Sequence, residues 1–353
     1  MTIQQLLMYV IAKKASDLHL VVGSPPLIRV DGDLVAVVGE TTLNPNQVEV
    51  LLSGVMSPEQ KQIYLVNKES DFSFSFGENA RFRVNVYFEK GEMAGSFRLI
   101  SANIPTMEDL GLPKICHDFA TLKQGFVLVT GPTGQGKSTT LAAIIEEING
   151  TRPVHVVTIE DPIEYVYTPK RAVVSQREVH NDTHSWEIAL RSVLREDPDV
   201  VLIGEMRDFE TIAAALTIAE TGHLVFATLH TNSAAQTVDR IVDVFPENQQ
   251  PQVRLQLSEN LEAVFSQRLL PKVGGGRAVA YEIMTATQAV RTAVREGRTH
   301  MLDNIILTSS EYGMMTLEWT LGRMVRDGTI SLETARAFAL RPEDLQKSVK
   351  GSL

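Results

Sequence analysis

The residues best suited to chemistry lie in a glycine-rich segment, GPTGQGKST, at positions 131–139. It fits the pattern G-x-x-x-x-G-K-[ST], in which successive backbone N–H groups surround a phosphate. Lys137 is placed to reach the β- and γ-phosphates, and Ser138 to ligate Mg²⁺. We therefore predict a nucleoside triphosphate site that is formed by Gly131, Pro132, Thr133, Gly134, Gln135, Gly136, Lys137, Ser138 and Thr139.

A phosphate loop needs a strand before it and a helix after it. Residues 126–130 (FVLVT) form a short apolar run that is typical of a strand. After the loop, apolar residues recur at helical spacing, which predicts one buried helix face. The Asn149-Gly150 pair then predicts the end of this helix.

A second group of candidate residues follows the apolar run at 154–159. Pro162 cannot donate a backbone hydrogen bond, so the strand should end before it. Glu160, Asp161 and Glu164 then fall where a parallel strand leaves the sheet, at the usual ligand edge. We predict that these carboxylates contact Mg²⁺ or its water and orient the attacking water. The alternative interpretation is a solvated acidic turn.

Two further strands contribute candidates at the same edge. Val200–Ile203 is followed by Gly204 and Glu205, so glycine stands where such enzymes usually place an aspartate for Mg²⁺, and Glu205 must serve alone. Leu224–Leu229 is flanked by His223 and His230. His230 should lie within reach of a γ-phosphate, although a histidine at a strand end also often has a structural role.

These apolar strands alternate with helical patterns, which indicates an α/β fold with a covered parallel sheet. From about residue 255 the pattern predicts mostly helix, interrupted by three glycines at 274–276. The first hundred or so residues instead predict a small, mainly antiparallel α/β domain. Within it, Asp31-Gly32 indicates a hairpin between residues 27–30 and 34–38. Proline and glycine at 103–113 indicate a linker.

Arginines on one face of the N-terminal domain are further candidates. By strand parity, Arg81 and Arg83 lie opposite Phe82 and Val84, and Arg98 also lies opposite its apolar neighbours. They are either solvated surface residues or fingers that reach a nucleotide on a neighbouring subunit. A finger would make activity depend on oligomerisation.

Composition narrows the class of protein. The 353 residues suggest about two domains. The formal net charge of −10 disfavours a chain-wide phosphate-backbone binder, so no nucleic-acid partner is expected. Cys116 is the single cysteine, which excludes internal disulfides and multi-cysteine zinc sites. With neither a transmembrane run nor a secretory signal visible, we expect a cytoplasmic location.

Several segments together resemble the secretion and type IV pilus ATPases over nearly the whole chain. ASDLHL (15–20) and PPLIRVDG (25–32) are similar to that family's N-terminal PAS-like domain. TIEDPIE (158–164) resembles its Asp box, and REDPDVVLIGEMRD (195–208) resembles its Walker B segment, including the glycine at 204. ETGHLVFATLHT (220–231) is similar to its His box.

The resemblance implies an N-terminal PAS-like α/β domain (1–102), a linker (103–116) and a RecA-like P-loop ATPase core with a C-terminal helical region (117–353). It implies a homohexamer that binds ATP and Mg²⁺ between the core of one subunit and the N-terminal domain of the next. Glu164 corresponds to the glutamate that activates water, and Glu205 to the Walker B residue. His223 and His230 correspond to the His-box residues, and the arginine segments face the nucleotide. The metal is expected at Ser138, Glu160 and Glu205.

The resemblance also implies work at the pilus. Retraction motors of the family carry AIRNLIRE, and residues 289–296 read AVRTAVRE, matching Ala289, Arg291, Arg295 and Glu296. Thr292 and Ala293 depart from it, which leaves an accessory retraction paralogue open. The expected function is a hydrolysing motor for pilus retraction and twitching motility. It would act at the inner membrane through a platform protein, with a paralogous pilus ATPase as a further candidate partner. One alternative is a nucleotide-gated scaffold. Another is a DNA-translocating hexamer, and the acidic net charge disfavours this second alternative.

Overall fold

Two sheets organise the computed structural model of the chain, which describes residues 1–30, 32–77, 80–100 and 103–351. Each sheet belongs to one compact unit. The N-terminal unit comprises Met1–Asn103 together with Pro162–Val166, and the C-terminal unit comprises Ile104–Asp161 and Tyr167–Leu353.

The N-terminal unit contains a six-stranded antiparallel sheet within its described residues. Its strands run in the spatial order β3-β2-β1-β6-β5-β4, with bounds β1 Asp17–Leu20, β2 Leu27–Val30, β3 Asp33–Ala36, β4 Glu69–Phe76, β5 Ala80–Glu89 and β6 Glu92–Ile100. Its helices are α1 Ile3–Ala12, α2 Pro45–Ser53 and α3 Pro58–Asn67.

One face of this sheet is apolar, as alternation in the sequence predicts. Phe82, Val84 and Phe97 are fully buried, and the buried face of α1 belongs to the same core. The predicted hairpin is confirmed, because β2 and β3 pair antiparallel, although Asp31 of its turn lies outside the described residues. A Pro residue begins each of α2 and α3, where its missing N–H costs no hydrogen bond.

The C-terminal unit is built on a seven-stranded sheet in the part of the chain that the structure describes. The spatial order is β13-β12-β7-β11-β10-β8-β9, with bounds β7 Gly125–Thr130, β8 His155–Glu160, β9 Val173–Glu178, β10 Val200–Ile203, β11 Leu224–Leu229, β12 Leu261–Pro271 and β13 Arg277–Thr285. Neighbouring strands are parallel throughout, except that β13 runs antiparallel to β12 at one edge. This arrangement confirms the predicted α/β class with a parallel sheet.

Helices connect and cover these strands. Their bounds are α4 Ile115–Thr121, α5 Lys137–Thr151, α6 Trp186–Val193, α7 Phe209–Glu220, α8 Ala234–Asp243, α9 Gln250–Asn260, α10 Gln288–Arg295, α11 Leu302–Thr308, α12 Leu317–Arg326, α13 Leu332–Phe338 and α14 Pro342–Val349. Every residue of β7, β10 and β11 is buried, which explains why these strands are continuous apolar runs rather than alternating ones.

The prediction of mostly helix from about residue 255 is wrong for residues 261–285. These residues form the long antiparallel pair β12–β13, and the three glycines at 274–276 lie in its turn, all with positive φ. Glycine tolerates these left-handed conformations, which other residues adopt at a cost. The C-terminal helices begin only at α10.

The predicted end of α5 at Asn149-Gly150 is also wrong, because the helix continues to Thr151. Asn149 is fully buried, and its side chain donates to Thr168 O (2.8 Å) and accepts from Lys170 N (3.1 Å). The helix ends where Arg152 turns extended ahead of Pro153, as residues before proline usually do.

Candidate functional site

The predicted phosphate loop joins β7 to α5 at the carboxyl end of the sheet. Gly131, Gly134 and Gly136 have φ values of 143°, 76° and 83°, which turn the backbone through conformations that suit glycine. In the described structure, no side chain caps the first turn of α5. The positive end of the helix dipole therefore faces the loop, a setting that favours an anion.

Lys137 is folded back over this loop and is 8% exposed. Its Nζ donates to Gly131 O (2.8 Å) and Pro132 O (3.1 Å), and lies 3.4 Å from His230 Nδ1. The loop carbonyls thus solvate the buried ammonium group. A phosphate oxygen, which carries charge, would be a stronger partner at the same place.

Glu205 lies just beyond β10 and is held from two sides. His230 Nε2 donates to its Oε1 (2.7 Å), and Arg207 donates to its Oε2 (2.7 Å). Burial alone would raise the pKa of Glu205, but Arg207 and His230 outweigh it through hydrogen bonds and charge, so the pKa is lowered. Glu205 is therefore a carboxylate at neutral pH. Sequence reasoning did not include Arg207, which follows Glu205 by two positions.

His230 connects Glu205 to the phosphate loop. While Nε2 faces Glu205, Nδ1 lies 3.2 Å from Thr133 Oγ1 and 3.4 Å from Lys137 Nζ. The structure thus brings together three of the predicted site residues, Lys137, Glu205 and His230, through direct contacts. His230 is consequently more than a strand-end residue with a local role.

Steric crowding explains why glycine, and not the usual aspartate, stands at position 204. A Cβ at this position would lie 3.3 Å from Glu160 Cα and 3.3 Å from Ile159 O, on the adjacent strand. Its carbonyl accepts a hydrogen bond from Thr228 Oγ1 (2.6 Å). The space of a side chain is therefore occupied by the backbone of β8.

The three carboxylates after β8 have different surroundings. Glu160 is 8% exposed and accepts from Thr158 Oγ1 (2.6 Å) and Gln176 Nε2 (3.3 Å). Asp161 is exposed at the end of its unit. Glu164 is exposed on Pro162–Val166, the short segment that groups with the N-terminal unit. A catalytic role for Glu164 therefore stays a prediction.

His223 lies at the opposite end of β11 from His230, roughly 20 Å away at the rise of a strand. Its carbonyl accepts from Gly125 N (3.0 Å), at the start of β7. Its Nδ1 faces Ile218 O (3.1 Å) and Thr221 Oγ1 (3.0 Å). The structure does not bring His223 to the phosphate loop of its own chain.

The three arginines of the N-terminal unit share one face of its sheet, as strand parity predicts. Arg83 pairs directly with Arg98 across β5 and β6. Each also has an acidic partner in the same unit: Arg83 contacts Asp71 (2.6 Å) and Arg98 contacts Asp17 (3.0 Å). Arg81 is half-buried, two residues before Arg83. Whether any of them acts on a nucleotide stays a prediction.

A cavity of about 690 Å³ opens beside the first turn of α5. Gly136, Thr139 and Thr140 line one end. Its remaining lining combines apolar residues, such as Leu269 and Val279, with charged residues of both signs. The cavity therefore offers a ligand both apolar contacts and polar groups.

The same cavity wall includes β12, whose contribution the sequence reasoning missed. Gln267 donates to Gln135 O (2.7 Å), and Leu269 N donates to Gln135 Oε1 (2.6 Å). β12 therefore contacts the phosphate loop directly. A run of apolar residues on both sides of a triple glycine was the signal for a hairpin here.

The segment at 289–296 forms most of α10. Arg291 donates to Ser258 O and Glu259 O (both 2.8 Å) and to Glu262 Oε1 (2.9 Å). It thereby satisfies carbonyls at the end of α9, which helices otherwise leave unpaired. One residue of the matched motif thus has a structural task in the fold.

No cluster of three or more histidine, cysteine, aspartate or glutamate side chains that could hold a metal occurs among residues 1–30, 32–77, 80–100 and 103–351. A magnesium ion at a phosphate loop is instead held largely by phosphate oxygens and water, with one or two protein oxygens. The oxygen donors Ser138 and Glu205 fit that kind of site. Across the described stretches of chain, none of the helices is long and apolar enough to cross a membrane.

Comparison with known proteins places these features in context. The profile of the family described as Type II/IV secretion system protein matches residues 1–320. The type IV pilus retractation ATPase PilT of Pseudomonas aeruginosa is 49% identical over 98% of this chain and 100% of its own length. The twitching motility protein of Neisseria gonorrhoeae is 48% identical over 91% of this chain and 86% of its own length.

A second pilus ATPase and a solved structure are also similar to this chain. The type IV pilus ATPase PilU of Pseudomonas aeruginosa is 39% identical over 99% of this chain and 92% of its own length. The crystal structure of the pilus retraction motor PilT with bound ADP superposes with a TM-score of 0.91, at 45% identity, and covers 98% of this chain and 99% of that one.

Proposed function

The chain belongs to the Type II/IV secretion system protein family, and from this premise we propose that it hydrolyses ATP to drive the retraction of type IV pili. The observation that carries the proposal is the contact chain from Lys137 through His230 to Glu205, at a phosphate loop that leads into the first turn of α5. That the motor retracts pili is inferred from the full-length similarity to a retraction ATPase.

ATP is proposed to bind with its phosphates on the loop and its nucleoside in the adjoining cavity. Lys137 would exchange the carbonyls of Gly131 and Pro132 for the β- and γ-phosphates. Because charged hydrogen bonds are stronger than those to neutral carbonyls, this exchange favours the bound state. The related retraction motor PilT was solved with bound ADP, which supports the binding of an adenine nucleotide by this chain.

Mg²⁺ is proposed to accompany the nucleotide. Ser138 at the start of α5 would ligate it, and Glu205 would contact it or its water; Glu160 lies on the neighbouring strand. The ion would neutralise charge on the phosphates during transfer. The lowered pKa of Glu205 suits this task, because only the ionised carboxylate attracts a cation.

For hydrolysis, we propose that Glu164 accepts the proton of the attacking water. Glu205 and His230 would sense the γ-phosphate, since Lys137 lies within contact of both the loop and His230. Loss of the γ-phosphate would remove one of the two phosphate partners of Lys137. The contact between Glu205 and His230 would then respond to the state of the nucleotide.

The proposal includes a homohexameric ring with one ATP at each subunit interface. Each subunit would comprise the domains at 1–102 and 117–353, joined by residues 103–116. One or more of Arg81, Arg83 and Arg98 would reach the nucleotide of the neighbouring subunit. Such a group can accelerate phosphoryl transfer by roughly 10³–10⁵.

In the cell, the ring is proposed to sit in the cytoplasm at the pilus base, against an inner-membrane platform protein. An accessory retraction role is the second candidate. The departures at Thr292 and Ala293 favour it, whereas the higher identity to PilT than to PilU favours the motor itself.

The test is complementation of strains that lack a retraction ATPase. Wild type should restore twitching and lower the number of surface pili, whereas Glu164→Gln should bind ATP and restore neither. Arg191→Ala, which removes an exposed ion pair on α6, serves as the control and should behave as wild type. Restored twitching by Glu164→Gln would contradict the mechanism. Failure of wild type in a strain that retains its accessory ATPase would contradict the motor role.

A further inference from the structure

We propose that Gln267 of β12 is a positioning residue for the phosphate loop, which sets the loop in its phosphate-binding shape before the nucleotide arrives. The inference rests on the proposed ATP site and assigns it a residue outside the loop motif. The loop pattern does not predict Gln267, because this residue lies far from the loop in sequence. It comes close to the loop only because its strand belongs to the same sheet.

The side-chain amide of Gln267 is 1% exposed and joins two parts of the loop region. Its Oε1 accepts from Thr140 Oγ1 (2.7 Å), in the first turn of α5. Its Nε2 donates to Gln135 O (2.7 Å), inside the loop. A flipped amide would set its NH₂ group against Thr140 and its oxygen against a carbonyl, so the network fixes the orientation.

The backbone of β12 contacts the loop at further points. A Cβ on Gly131 would lie 2.4 Å from Gln267 O, so the loop begins pressed against this strand. Leu269 N donates to Gln135 Oε1 (2.6 Å). One strand thus lies close against the start of the loop and is hydrogen-bonded to Gln135 in its middle and to Thr140 in the helix turn that follows.

These contacts predict an effect on phosphate binding that exceeds the effect on folding. Loop N–H groups bind a phosphate best when they already point at it, because ordering them during binding costs free energy. Removal of the amide leaves Gln135 O and the Thr140 hydroxyl without buried partners, and the loop must shift to find others. Glutamate at position 267 would add charge repulsion toward both Gln135 O and the phosphates.

The experiment compares Gln267→Met and Gln267→Glu with wild type and with Thr320→Val, in the full-length protein. Thr320 Oγ1 donates a buried hydrogen bond to Tyr281 O (2.8 Å) on β13, so its loss is a matched structural change away from the loop. ADP affinity by calorimetry, the KM for ATP, kcat and Tm are measured. We expect about tenfold or greater weakening of ADP binding and a similar rise in KM for Gln267→Met, and a larger effect for Gln267→Glu.

Thr320→Val should lower Tm about as much as Gln267→Met and leave KM unchanged. Equal ADP affinity of folded Gln267→Met and wild type would overturn the inference, as would an equal rise in KM for Thr320→Val. If Gln267→Met does not fold, Thr140→Val decides, since it removes the hydroxyl from which Gln267 Oε1 accepts; unchanged ADP affinity of Thr140→Val would overturn the inference. Wild type that binds no ADP would instead contradict the proposed function.

Discussion

Glu205 depends on its neighbours for both its charge and its position. Arg207 and His230 each occupy one carboxylate oxygen, and together they lower its pKa despite partial burial. His230 in turn lies near Lys137, so three charged or polar groups at the sheet edge constrain one another. A change at the loop can therefore reach Glu205 without any movement of the sheet.

The glycine at position 204 is a second residue whose identity is set by its neighbour. We expect Gly204→Ala to destabilise the protein by roughly 1–3 kcal/mol, because the added Cβ meets rigid backbone of the buried strand β8. ATP hydrolysis should fall as well, since Glu160 and Glu205 flank the site of the clash. Thermal unfolding and steady-state turnover measure the two effects.

Gly150→Ala provides the matched control for that substitution. Gly150 lies within α5, where an added Cβ meets nothing closer than Lys170 Cδ at 4.0 Å. Alanine should therefore stabilise the helix by roughly 0.5–1 kcal/mol. A loss of stability in both variants would show that the backbone of β8 is not the cause of the effect at Gly204.

At the level of elements, a buried ionic cluster ties the C-terminal helices to the sheet. Glu282 on β13 is 1% exposed, accepts from Ala234 N (2.8 Å) at the start of α8, and lies 3.3 Å from Arg341. Arg341 also contacts Glu318 (3.1 Å) on α12 and Asp303 (2.8 Å) on α11. Burial raises the pKa of Glu282 to about 7, although Ala234 N and Arg341 oppose the shift.

This raised pKa predicts a pH dependence of stability. At pH values between the ordinary glutamate pKa of 4.5 and the raised pKa of about 7, the folded state binds more protons than the unfolded state. The free energy of unfolding should therefore fall as pH rises through that window and level off above it. The contribution is roughly 3 kcal/mol, at about 1.4 kcal/mol for each pKa unit.

Glu282→Gln tests this contribution, because glutamine keeps an acceptor for Ala234 N and cannot ionise. Its Tm should change less between about pH 5 and about pH 7.5 than that of wild type. Glu187→Gln, at an exposed ion pair on α6, should follow wild type. Parallel Tm curves for Glu282→Gln and wild type would mean that Glu282 does not titrate in this range.

In the C-terminal unit, the strands that the sequence predicted are those that are buried along most of their length. β7, β10 and β11 are buried along their whole length and read as apolar runs. β12 mixes buried apolar residues with Ser266 and Gln267, both buried, so its pattern resembles neither a continuous run nor a strict alternation. A polar residue that serves a neighbouring loop breaks the pattern by which its own strand is recognised.

The residues of the candidate site also fall into two groups, those that the sequence predicts and those that it does not. Loop residues, Glu205 and His230 were predictable, because local motifs fix their place at the edge of a parallel sheet. Arg207 and Gln267 were not, since their partners are set by tertiary packing. His223 is the opposite case. It belongs to a motif, but the fold places it at the end of β11 that is remote from the phosphate loop.

At the scale of the whole molecule, the arginine face of the N-terminal unit bears on how the proposed ring would work. Arg83 and Arg98 are each paired with an aspartate of the same unit, which orients their guanidinium groups. At 43% and 70% side-chain exposure, both remain accessible to a neighbouring molecule. The proposal that they complete the ATP site of the next subunit therefore needs a test in the assembled ring.

We expect Arg83→Ala and Arg98→Ala together to lower ATP hydrolysis by about 10³-fold or more, if these residues supply the finger. Mixing this double variant with Glu164→Gln before assembly should restore part of the activity. The reason is geometric: at some interfaces, a core with an intact Glu164 then meets a neighbour with intact arginines. Turnover is measured at a fixed total concentration as the ratio of the two variants changes. In the control mixture, Arg191→Ala takes the place of the double variant and is combined with Glu164→Gln. Arg191→Ala keeps all three residues under test, so turnover should change only because its active subunits are diluted by inactive ones. Turnover that equals the sum of the two inactive variants at every ratio would exclude a site shared between subunits through Arg83 and Arg98.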